Sequence, residues 1–477
     1  MHFFKVKLRL PYTSDKMNLG DDMYDVGIIG CGPAGIFAAL EILKIKPQTK
    51  IIMFDKGNNI KIRKCPKSIT NKCIFCKPCN ISCGFGGAGA FSDGKITLSK
   101  DVGGYLVEYI GEKVLNEYIQ YVDDIYVSFG GDKEVEFDEK FAEEMYKKCK
   151  ENNLDFIKCP IRHLGTEKCV EIMTKMYEKL TNYKNVTILA NTEILDVEMK
   201  EKTIITSKEK YKCKNIILAV GRSGSSWLQN ICKNQNIELL NNKVDIGVRV
   251  ELPRKITDPI TNHLYEFKVY NYSKTTQNVV RTFCMSPGGY VTQENYDNDL
   301  VCVNGHSFKE NKSELTNFAL LVSAHFTEPF KEPTKYGEHI ARLANMLTDG
   351  KVMVQRLYDL KLAKRSTREK LKELTYEPTL KDAEPGDLSF ALPGRILNAT
   401  LETFDALEKI CPGISGKETI LYGVEVKFYS AKVKVNNNLQ TNIKNIYAIG
   451  DGAGITRGLL QASISGVIAA KDIIKNL

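Results

Sequence analysis

YDVGIIGCGPAGIFAALEILKIKPQTKIIMFDK, residues 24–56, decides how the chain folds. Val26 to Ile29 is an apolar run of the kind a buried parallel strand shows. Gly30, Gly32 and Gly35 follow in the order G-x-G-x-x-G. The first glycine permits the sharp turn, the second lets a pyrophosphate approach the backbone, and the third lets the next helix press on the sheet. Small and apolar residues then predict a helix that stops near Pro47. A second apolar strand, Ile51 to Phe54, ends on Asp55, which lies 25 residues after Gly30. That is about the separation at which a carboxylate accepts a ribose hydroxyl. Strand, glycines, helix, strand and acid in this order predict dinucleotide binding. An acid at position 55 argues against a 2′-phosphate on that ribose.

The chain has 477 residues, enough for two or three packed domains. Hydrophobic residues make up 43% and charged residues 26%, ordinary for a soluble globular protein. No apolar run has the length that spans a bilayer. The N-terminal stretch lacks the pattern of a secretory signal. A cytoplasmic protein without membrane attachment is expected. The net charge of +9 is spread among interleaved lysines and acids, which favours a solvated surface over a nucleic-acid face.

Taken in order, residues 1–20 read as a leader, and 21–100 as the first part of a dinucleotide-binding domain with a cysteine-bearing loop at 65–83. Residues 101–160 read as a helical insertion on the outside of the fold. Residues 161–240 return to the first domain, ending in a buried strand and the turn at Gly221. Residues 241–434 alternate and are rich in β-formers, an inserted substrate domain in which 335–411 reads as mostly helical. Residues 435–477 close the first domain with a strand, GDGAG (450–454), and a helix of small residues. The fold class expected is α/β, a doubly wound Rossmann domain with a β-rich insertion.

The fingerprint at Gly30–Gly35 with Asp55, the AVG turn at 219–221 and YAIGDGAG at 447–454 resemble the glutathione-reductase-type Rossmann flavoproteins. The motifs GGAGAFSDGKITLS (86–99), RHLGT (162–166), VDIGVRVE (244–251), FCMSPGG (283–289) and VKFYS (426–430) are similar to the bacterial and archaeal "FAD-dependent dehydrogenase" group. The resemblance runs from about Tyr24 over nearly the whole chain. It implies FAD as cofactor, with Asp451 at the ribityl or pyrophosphate region and the following helix aimed at the pyrimidine end of the flavin. The contact positions implied are Gly30, Gly32, Pro33, Ala34, Gly35, Asp55, Lys56, Gly86, Gly87, Ala88, Gly89, Gly221, Gly450, Asp451 and Leu459. Family members read C-M-C-P where this chain has Cys284, Met285, Ser286 and Pro287.

Five of the 14 cysteines crowd between Cys65 and Cys83. Cys73, Cys76, Cys79 and Cys83 have the C-x2-C-x2-C-x3-C spacing of a ferredoxin cluster, with Cys65 as an alternative ligand. Iron–sulfur as [4Fe-4S], zinc, and free or redox-active thiols all stay open. The candidate catalytic side chains are His163, near neutral pKa; Lys427 and Tyr429, which alternation would put on one strand face; and Arg457 before the last helix. There is one G-x-G-x-x-G only, so NAD(P)H as electron donor would dock without a Rossmann domain of its own. The leading expectation is an FAD-dependent oxidoreductase acting on a small molecule, with a redox partner protein as a further possibility. The alternatives are a reductase of an unsaturated or polyprenyl substrate, and a flavin-bearing electron-transfer or tRNA-modification accessory.

Overall fold

The computed structural model describes residues 23–66, 69, 74, 76–296, 299–308, 311–330 and 332–477. The expected leader and Cys73 lie outside these residues. The strand Tyr24–Ile29 pairs in parallel with Ile51–Phe54 on one side and Lys210–Leu218 on the other. Val186–Leu189 extends the sheet beyond Ile51–Phe54, and Ile446–Ala448 joins the far edge of Lys210–Leu218. Before it enters this sheet, Lys210–Leu218 pairs antiparallel with Thr203–Thr206, which pairs with Ile194–Glu198. The doubly wound α/β expectation holds. Two distant segments, 24–56 and 446–476, share one layer.

Their helices are what lock them together. Pro33–Ile45 packs along Leu459–Asn476, and the two supply residues to one apolar core. The contact is backbone on backbone. A Cβ added at Gly466 would stand 2.1 Å from the Ala34 carbonyl oxygen and 2.9 Å from the Ala38 nitrogen.

The second body is an eight-stranded sheet ordered 384–385, 353–356, 420–427, 244–253, 315–324, 279–287, 268–272 and 154–157. One face is apolar, with Val244, Ile246, Val248, Val250, Leu320 and Val322 packed in a core with the helices Glu139–Glu151, Pro333–Leu347 and Gly394–Glu408. The opposite face carries Asp245, Arg249, Lys268, Arg281 and Lys427, all buried.

One expectation needs correcting, and one segment carries a strand besides its helices. The segment read as an external helical insertion is shared between the two cores. Leu106–Ser128 buries Leu115, Ile119, Val122 and Tyr126 against the first core, with the Tyr126 hydroxyl 2.9 Å from Ser463 Oγ. Glu139–Glu151 and the strand Leu154–Ile157 belong to the second. Charged residues on the outer faces of these helices hid the apolar stripes. Within 335–411, Met353–Arg356 is a strand beside Ile420–Lys427, too short a run to show a period.

Gly466→Ala is expected to cost about 2–3 kcal/mol of stability, measured by urea denaturation, because the new methyl must displace a backbone carbonyl. A Gly394→Ala control, where an added Cβ meets nothing within 4 Å, should leave stability nearly unchanged.

Candidate functional site: a glycine-lined cleft between the two bodies

Gly30 leaves its strand with φ +107, and a Cβ there would meet the Ala219 carbonyl oxygen at 2.4 Å. The Asp55 carboxylate fixes the turn. It accepts from Cys31 N at 3.0 Å, Gly57 N at 2.9 Å and Gly84 N at 2.8 Å. One carboxylate thereby joins the fingerprint loop, its own strand end and the second glycine loop. Gly86 N adds a bond to Cys31 O at 2.7 Å. Gly35 lies beneath, 2.1 Å from Gly30 O had it a Cβ, so its role is packing.

Arg63 staples the cysteine loop to this assembly. It is 3% exposed, and its guanidinium bonds the carbonyl oxygens of Asn80, Ile81, Phe85 and Gly87. Burial lowers it to about 10, against the opposing pull of Asp55, Cys83 and Cys79. Nothing in the sequence pattern marks it, because its partners are backbone oxygens.

A cavity of about 1540 Å³ lies between the two bodies. Gly30, Gly32, Pro33, Ala34, Asp55, Lys56, Gly87, Ala88, Gly89, Gly221, Gly450, Asp451 and Leu459 all line it. Gly32 and Gly458 are the N-caps of the two packed helices. Neither helix has a side-chain cap or an acidic residue in its first turn. Two sets of unsatisfied backbone N–H groups therefore open on one cleft. A Cβ at Gly32 would meet only Gly87 Cα, at 3.8 Å, and at Gly221 and Gly458 it would meet nothing within 4 Å. Asp451 accepts from Thr456 Oγ1 at 2.9 Å and Gly458 N at 3.3 Å. Burial raises its carboxyl above the ordinary value, opposed by Arg222.

Of the four catalytic candidates, the structure brings Tyr429 and Arg457 together and gives Lys427 and His163 other partners. The strand ends at Lys427, so Tyr429 leaves its register. Lys427 Nζ pairs with Glu425 at 2.9 Å, while the Tyr429 hydroxyl donates to Asp245 at 2.5 Å and accepts from Arg281 at 2.8 Å. Arg457 lies over the Tyr429 ring at 3.5 Å. Tyr429 alone of these lines the cleft, and its hydroxyl is committed to Asp245 and Arg281. His163 is buried against Tyr265, with ring centroids 4.9 Å apart, directly across the ladder from Lys95.

Two residues that the sequence reading passed over, Asp93 and Lys95, do face the cleft. Lys95 Nζ donates to Met285 O at 2.9 Å and pairs with Asp93 at 3.4 Å. Burial would lower this ammonium, but Cys284 and Asp93 beside it hold it well above its usual value. Their one signal was their place in GGAGAFSDGKITLS. Cys65, Cys76, Cys79 and Cys83 line the cleft as well. Among the described residues no three His, Cys, Asp or Glu side chains are grouped to hold a metal.

Residues 243–428 match the family model described as FAD-dependent protein, C-terminal domain-like. The matched segment is similar to that C-terminal domain and covers most of the second body, with its eight-stranded sheet. An uncharacterized protein of Clostridium beijerinckii (strain ATCC 51743 / NCIMB 8052) is 27% identical over 470 residues, covering 94% of this chain and 80% of its own. Glycine oxidase from Geobacillus kaustophilus aligns over 95% of both chains at 10% identity and a TM-score of 0.37. L-Proline dehydrogenase from P. horikoshii aligns over 95% of this chain and 94% of its own, at 10% identity and a TM-score of 0.40. Likeness at this level carries nothing about substrate. No helix among the described residues is long and apolar enough to cross a membrane.

Asp245 anchors the wall behind Tyr429. Burial would raise its carboxyl, but Arg281 and Lys243 overcome this and hold it well below the carboxylate range. Asp245→Asn leaves Arg281 buried without its counter-charge and is expected to cost about 3–5 kcal/mol at pH 7. A depressed carboxyl contributes its full stability above the unfolded value of about 3.9 and loses it as pH falls further. Urea denaturation of both proteins should therefore show a constant gap from pH 7 to about pH 5, narrowing below pH 4.

Proposed function

We infer that the chain binds FAD in this cleft and exchanges two electrons between it and a small-molecule substrate. The observation that carries the reading is the pair of uncapped helix N-termini, at Gly32 and Gly458, opening on one cavity that Asp55 and Asp451 also border. When bound, FAD supplies hydride-accepting and hydride-donating chemistry. The residues fit it. Gly32 and the first turn of its helix present N–H groups to a pyrophosphate. Asp55 keeps lone pairs for a ribose after its three backbone bonds. The Gly458 helix end favours negative charge by about 0.3–1 kcal/mol at an exposed site, up to ~2 where partly buried. Asp451, whose carboxyl burial raises against the pull of Arg222, sits beside the same helix end, accepting from Gly458 N. Lys95 and Asp93 hold an ion pair at the substrate-domain side of the cleft.

The electron donor belongs to the same proposal. Bound iron with sulfide in anaerobically purified protein would support a relay through Cys73, Cys76, Cys79 and Cys83, or through Cys65 in place of one. Absence of both, with NAD(P)H bleaching the flavin, would support direct docking of a nicotinamide.

The purified chain is expected to be yellow, with a flavin spectrum that dithionite bleaches. Gly32→Val should abolish flavin absorbance while the melting temperature of the FAD-free protein stays unchanged, since the side chain fills the ligand cradle rather than the core. Asp451→Ala should lower FAD occupancy. A folded, colourless wild type that takes up no added FAD would defeat the proposal.

A further inference from the structure

The polar face of the eight-stranded sheet connects to the cleft through Tyr429, whose hydroxyl bonds Asp245 and Arg281 and which lines the cavity. Its buried charges have an uneven distribution of partners. Asp245 is taken by Arg281 at 2.5 Å, with Lys243 at 3.8 Å. Glu425 is taken by Lys427 at 2.9 Å and Arg249 at 3.4 Å. Glu251, at the far end, is taken by Tyr422 and Thr379. Glu266, two residues before Lys268, pairs with Lys95 at 3.9 Å.

Lys268 is left over. It is 2% exposed, and among the described residues it has no hydrogen bond and no ion pair. Its one close neighbour of note is the Phe283 ring, 5.4 Å from Nζ. The same ring has the Arg281 guanidinium at 4.8 Å and Lys427 Nζ at 5.9 Å. Arg281 Nε is also buried without a partner. Three cations thus surround one aromatic ring, and one of them has no counter-charge. An ammonium on so buried a side chain, beside a ring face and without a counter-charge, is a place where an anion gains a partner. An anion seated over Phe283 would supply that counter-charge.

We propose that Lys268, Arg281 and Lys427 form the anion subsite of the substrate pocket, with Phe283 as the apolar platform, and that the substrate is an organic carboxylate. This deepens the flavoprotein reading and rests on it for the word substrate; the anion site itself rests on the sheet alone. The site meets the cleft where Arg281 bonds Tyr429 and where Lys427 lies 3.9 Å from Glu294, both of which line the cavity. A planar carboxylate suits it. Arg281 has a free Nε–H, Lys268 has three N–H donors, and the ring accepts a flat hydrocarbon part.

The test is calorimetric titration of the FAD-loaded full chain with acetate, succinate and benzoate, each against its neutral amide. At least one carboxylate is expected to bind roughly tenfold or more tightly than its amide, and Lys268→Met should weaken it by a similar factor. Lys268→Met should melt at or above the wild-type temperature, because it removes an unpaired buried charge and keeps the packing volume. Lys268→Arg should retain binding. Equal affinity for all three acids and their amides overturns the proposal, as does a Lys268→Met protein that binds carboxylate like the wild type. Flavin absorbance of the same samples separates the two readings. Carboxylate binding without flavin keeps this site and removes the cofactor assignment, while a yellow protein indifferent to carboxylates does the reverse.

Discussion

The contact between Gly466 and the Ala34 carbonyl is the constraint on which the cleft depends. Two helices from distant segments touch there with no side chain between them. Their axes are thereby fixed, and so are their N-termini, at Gly32 and Gly458. Each terminus alone is an ordinary feature of a helix. Held on one cavity, the two turn their backbone donors toward the same space, where the helix dipoles favour negative charge without a positively charged side chain.

Carboxylates then set the local geometry. Asp55 organises the nucleotide side by accepting from three loops, and Arg63 reinforces the arrangement by donating to carbonyl oxygens across the cysteine loop. Asp245 performs the corresponding task on the other wall, where it holds Arg281 and Tyr429 in place under Arg457.

The parts of this arrangement that could be read in the sequence are those set by short-range geometry. The glycines at 30, 32 and 35, Asp55 and Asp451 sit in motifs whose spacing follows from one turn and one helix. The doubly wound class followed from them. What stayed hidden depends on pairing across the chain. Arg63 has partners 17 to 24 residues away, all of them main-chain. Arg281 meets Asp245 only because two strands of one sheet carry them on the same face. Alternation put Lys427 and Tyr429 together, yet the strand ends between them and their partners differ. The helix 106–128 looked external because its polar residues outnumber the five or so that reach the core.

The division of one layer between segments 24–56 and 446–476 also has a temporal side. At about 5–20 residues per second, a ribosome delivers the second segment on the order of a minute or less after the first. Until then Ala34 and Ala38 have no neighbour to cover them, while the sheet of the other body already has its strands. The nascent protein therefore passes through a stage in which its nucleotide half is an open, sticky surface awaiting its own tail.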